Sequence, residues 1–67
     1  MSNEYQRIKA LKIALDSSTE IMIQLRIVNS RGIPNETLKA IEQQQRILTS
    51  ALKAELDFCQ ERFEENL

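Results

Sequence analysis

Histidine and tryptophan are absent from these 67 residues, and glycine, proline and cysteine occur once each. Without histidine there is no imidazole to serve as a general base near neutral pH. The lone Cys59 excludes an intrachain disulfide and any metal cluster built on cysteines, and it fits a reducing compartment or simple indifference to redox. The start, Met-Ser-Asn-Glu-Tyr-Gln-Arg, lacks the apolar core of a secretory signal. The longest apolar-rich stretch, residues 21–28, is interrupted by Gln24 and Arg26 and falls far short of the roughly 20 residues of a membrane span. The expectation is a cytoplasmic chain with no cofactor, no metal and no membrane contact.

The scarcity of glycine and proline also fixes where the chain can turn. Gly32 and Pro34 both lie in Arg31-Gly32-Ile33-Pro34-Asn35, with apolar-periodic sequence on either side. This punctuation predicts an all-α fold, an antiparallel two-helix hairpin forming a single domain over residues 1–67. Helix 1 is expected at about 3–29, the turn at 30–35 and helix 2 at about 36–65. Asn3 and Asn35 suit the two N-caps, and Glu36 suits the positive start of helix 2.

In helix 1, Ile8, Leu11, Leu15, Ser18, Met22, Leu25 and Asn29 step by three and four, the rhythm of a heptad seam. Ala10, Ala14, Ile21 and Val28 flank it, widening the apolar arc to roughly 160° at about 100° per residue. The seam expected in helix 2 reads Leu38, Ile41, Gln45, Leu48, Leu52, Leu56, Cys59 and Phe63. A second stripe there comprises Ala40, Ile47, Ala51, Ala54 and Phe58. Ser18, Gln45 and Asn29 interrupt the apolar seams. Within the polar run Gln43-Gln44-Gln45, the favoured reading leaves the Gln45 amide at the seam's edge in water, against a register-fixing bond to Ser18.

Both helices therefore have two apolar faces, and a hairpin this small has too little interior to bury them alone. Dimerisation into a four-helix bundle supplies the missing layer, closed twofold dimers being the commonest oligomers. The seams Ile8, Leu11, Leu15, Met22, Leu25 and Leu38, Ile41, Leu48, Leu52, Leu56, Phe63 are expected to build the core or dimer. Tyr5, Ile13, Ile23 and Ile27, on the far side of helix 1, are expected to engage a target protein. The alternative gives that role to the stripe Ile47, Ala51, Ala54 and Phe58.

Catalytic equipment is thin. Cys59 and the serines Ser17, Ser18, Ser30 and Ser50 have no base beside them, and the carboxylates do not form the Glu and Glu-x-x-His pattern of bundle metal sites. The net charge is −1, with five basic and three acidic residues over 1–34 and four and seven over 35–67, which argues against nucleic acid as the main partner. In an antiparallel hairpin the basic start of helix 1 and the acidic end of helix 2 lie side by side. A small bacterial or phage regulator, inhibitor or assembly adaptor, non-catalytic and acting by binding another protein, fits this inventory.

Two resemblances supply alternatives. Ala54-Glu55-Leu56-Asp57, followed by Phe63, resembles part of the Ser-Gln-Glu-Leu-Asp signature of the Spo0E-like aspartyl-phosphate phosphatases, themselves small helical hairpins. Lys53 and Ala54 stand where that signature has Ser and Gln. The resemblance implies dephosphorylation of a response-regulator domain that depends on Asp57. In plan, two helices joined by a tight bend are similar to the Rop-like dimeric RNA-binding bundles, which implies RNA contact through exposed bases such as Arg7, Lys9, Lys12 and Arg26.

Overall fold

The computed structural model describes residues 3–65, and these form two helices and no strand. Helix α1 runs Asn3–Ser30 and α2 runs Glu36–Glu65, packed against each other as an antiparallel hairpin 52 Å long. Asn3 is itself the first helical residue of α1, not the cap preceding it. At α2 the expected cap is in place: the Leu38 amide donates to Asn35 Oδ1 at 3.0 Å, satisfying one of the orphan donors of the first turn.

The reversal needs a residue that accepts a left-handed backbone. Gly32 takes it with φ of 82°, and a Cβ added there would meet nothing within 4 Å. Its cost would be conformational, not steric. Gly32→Ala is expected to lower stability by about 1–2 kcal/mol with helicity retained below the transition, as read by urea unfolding; no loss would contradict this account of the turn.

Hydrogen bonds set the register. Ser18 meets Thr49 and Asn29 meets the Leu38 carbonyl, so a residue n of α1 lies level with a residue near 67 − n of α2. The α1 seam holds Ile8, Leu11, Leu15, Ser18, Met22, Leu25 and Asn29, all buried or half-buried. On α2 the seam is Leu38, Glu42, Gln45, Thr49, Leu52, Leu56, Cys59 and Phe63. The dry part of the core sits toward the chain ends, where Ile8, Leu56 and Cys59 pack with Leu11, Leu15 and Phe63.

The half nearer the turn departs from expectation. Ile41 and Leu48 are 43% and 53% exposed, and Glu42 and Thr49 take the inward positions. The physical reason is hydrogen bonding. Ser18 is 5% exposed, and its hydroxyl requires polar company there. Thr49 Oγ1 donates to the Gln45 carbonyl at 2.7 Å, so the 2.7 Å contact between the two hydroxyls has Ser18 donating, and Gln45 Nε2 donates to Ser18 Oγ in turn. The Gln45 amide is thus bonded inside the hairpin instead of ending in water. Three seam positions nearer the turn, Asn29 Nδ2 donates to the Leu38 carbonyl at 3.2 Å and to Glu42 Oε1 at 2.9 Å.

At the open end, the ion pair linking the helices joins Glu4 to Arg62 at 3.9 Å. It uses the acid of the basic segment and the base of the acidic one. This contact has the opposite polarity to the expected pairing, its acid on α1 and its base on α2.

Candidate functional site

With the seams engaged inside the hairpin, function falls to the outer surfaces. In an antiparallel pair, the positions one step before the inner seam residues of each helix lie on one flank, and those one step after lie on the other. Stepping back from Met22, Asn29, Glu42 and Thr49 gives Ile21, Val28, Ile41 and Leu48. These four are 50%, 48%, 43% and 53% exposed and form one apolar flank across both helices near the turn. Arg7 and Glu55 continue the same flank toward the chain ends.

The opposite flank is basic. By the same register Lys12 and Arg26 of α1 and Lys39, Arg46 and Lys53 of α2 share this flank, all of them exposed. A shallow open groove on this side is lined by Met22, Arg26, Arg46, Thr49, Ser50 and Lys53. Local carboxylates temper it: Lys39 pairs with Glu36 at 3.7 Å, Arg46 with Glu42 at 2.8 Å and Lys53 with Asp57 at 3.5 Å. Such exposed pairs contribute about 0–1 kcal/mol each and break readily for a better ligand.

The back of α1 carries the expected target residues, and the structure brings two of the four together. Ile23 and Ile27 are adjacent and, with Arg26 and Ser30, line a second shallow groove. Ile13 precedes Ile23 by ten residues, about 15 Å of helix rise, with Asp16 and Glu20 between. Tyr5 lies still farther toward the chain start. On the back of α2, Ile47 and Phe58 are 60% and 52% exposed, and Ala51 and Ala54 lie open between them. Arg62 covers the Phe58 ring at 5.6 Å, a cation–π contact.

Chemically reactive groups do not converge. Among the described residues no three His, Cys, Asp or Glu side chains are grouped so as to hold a metal ion. Asp57 projects from α2 toward solvent, its nearest ionic contact being Lys53. Cys59 is 1% exposed, its thiol 3.7 Å from Glu55 Oε1. Burial first, and the Glu55 carboxylate second, push its pKa above the usual thiol value. Because the raised pKa belongs to the folded state, this contribution is intact below the unfolded pKa and fades as pH rises through the folded one. Native Cys59 is therefore expected to react with a thiol reagent at pH 8 at least tenfold more slowly than in denaturant. Equal rates would contradict its burial.

Among the described residues no helix is long and apolar enough to cross a membrane. No protein-family model, curated protein or solved structure matches the chain.

Proposed function

We propose that this chain is a non-catalytic interaction module of the cytoplasm, a regulator, inhibitor or assembly adaptor that dimerises and binds another protein through the exposed apolar face of α1. The observation that carries this reading is the imbalance of apolar surface. Among the described residues, three hydrophobic side chains are buried, whereas eleven large ones, from Ile27 at 39% to Ile33 at 92%, stand exposed. Patches of that kind on a small protein mark interaction sites. Ile23 and Ile27 supply the best target surface, since they adjoin one another and neither belongs to the interhelix seam or to the apolar flank.

The test compares variants. Ile23→Asp and Ile27→Asp together are expected to leave helicity and solution mass unchanged and to reduce capture of the binding protein at least tenfold, since each places a charge in a desolvated contact. Loss of folding would assign these residues to the core, and undiminished capture would move the target site elsewhere.

The basic flank favours a second reading, a bundle of the Rop-like plan that contacts RNA. Its signature is binding that weakens steeply with salt and is lost on charge reversal at Arg26 and Lys53. Salt-independent binding would remove it.

A further inference from the structure

From the residue that the two shallow grooves share, we propose that the target segment bound at Ile23 and Ile27 is acidic as well as apolar. Its hydrophobic side chains enter the groove on the back of α1, and its carboxylates reach over Arg26 onto the basic groove between the helices. This rests on the target reading above and adds the chemistry of the partner. Arg26 lines both grooves, with Ile23 and Ile27 to one side of it and Arg46 and Lys53 to the other. The two grooves are therefore one continuous surface, apolar along α1 and cationic where the helices meet.

Charge decides the sign of the partner. Among the described residues no carboxylate lines either groove, whereas three cations do. Arg46 and Lys53 are held from within α2 by Glu42 and Asp57, in pairs whose basic members stand in solvent and are weakened by it. Arg26 is uncommitted: among the described residues it has neither an ion pair nor a hydrogen bond. A guanidinium grips a carboxylate through two parallel N–H bonds, and apolar side chains seated beside it exclude water from that contact. Asp16 and Glu20 lie on α1 before Ile23, so carboxylates of the segment are repelled from that end and directed over Arg26 toward α2. A nucleic-acid backbone would engage the cations but leave Ile23 and Ile27 uncovered. An acidic protein segment uses both parts of the surface.

The probe is a synthetic peptide of about 15 residues, with leucines at every third or fourth position and glutamates along one border of that stripe. Titrated into the isotopically labelled chain, it is expected to shift the amide resonances of Ile23, Arg26, Ile27, Arg46 and Lys53. It is expected to bind at least about tenfold more tightly than the same peptide with lysine in place of every glutamate. Arg26→Glu is expected to weaken the acidic peptide by about tenfold or more and the lysine peptide not at all, with helicity and solution mass as in the wild type. Equal affinity for the two peptides, no binding of either at millimolar concentration, or shifts centred on Ile21, Val28, Ile41 and Leu48 would overturn the proposal. So would oligouridylate binding more tightly than the acidic peptide at the same residues, which would assign the surface to RNA. Binding lost in Ile23→Asp with Ile27→Asp but unmoved by Arg26→Glu would refute the acidic partner and leave the target reading standing. Binding undiminished in the isoleucine variant would refute the target reading itself.

Discussion

Leu56→Ala is expected to be the most damaging single truncation in the chain, costing about 2–5 kcal/mol. Leu56 is 7% exposed and packs in the buried cluster of the hairpin, between Ile8, Cys59 and the half-buried Leu11, Leu15 and Phe63. Removing three carbons there forfeits their transfer energy and leaves a void that two helices, joined at a single turn, close only in part. For a chain this small the loss is comparable to total stability. Thermal unfolding followed by circular dichroism is expected to show a transition lowered by more than 10 °C, or no folded baseline at all, at about 4–8 °C per kcal/mol. Ile47→Ala, at a residue 60% exposed, is the matched control, with an expected change within about 0.5 kcal/mol. Equal effects at the two positions would mean that the core lies elsewhere.

The second large effect concerns the Ser18–Gln45–Thr49 layer and changes sign with the number of substitutions. Ser18→Ala removes the side-chain acceptor of Gln45 Nε2, leaving it the longer 3.3 Å bond to the Ser18 carbonyl, and removes the donor to Thr49 Oγ1, at an expected cost of about 1–2 kcal/mol. Replacing all three residues, as Ser18→Ala, Gln45→Leu and Thr49→Val, leaves no partner unsatisfied. That triple variant is expected to recover the loss and equal or exceed the wild type in urea unfolding. Additive destabilisation across the three changes would contradict the closed network and assign the layer to independent, water-facing contacts.

That layer also explains what the sequence conceals. The two helices and their turn are legible because Gly32 and Pro34 leave one place for a reversal, and Asn35 caps the second helix through Leu38. The α1 seam is legible because its four-three rhythm runs from Ile8 to Asn29 with apolar residues at most steps. In α2, apolarity and rhythm disagree. Choosing the nearest apolar residues selects Ile41 and Leu48, whereas carrying the phase of Phe63, Cys59, Leu56 and Leu52 back toward the turn selects Thr49, Gln45, Glu42 and Leu38. The structure follows the phase. Ser18 and Asn29, polar at the facing levels, were the available signal, since each demands a bonding partner across the seam.

The consequence reaches the candidate sites. Polar residues that turn inward displace Ile41 and Leu48 outward, where they join Ile21 and Val28 in a flank that no single helical wheel displays. The basic flank is hidden for the same reason, because Lys12 and Arg26 fall on one side with Lys39, Arg46 and Lys53 only once the antiparallel register is known. Ile23 and Ile27, by contrast, were legible as an i, i+4 pair on the back of one helix. Ile13 and Tyr5 share their exposure but not their location, a matter of distance along the axis that a helical wheel suppresses.

The central proposal is that this hairpin dimerises, with the apolar flank as its candidate interface. Sedimentation equilibrium across a hundredfold range of concentration, with helicity measured on the same samples, tests it most directly. The account expects a helical species of twice the 7.8 kDa chain mass that reverts to the monomer mass in Ile21→Glu with Leu48→Glu. A fully helical wild-type monomer throughout that range would contradict it.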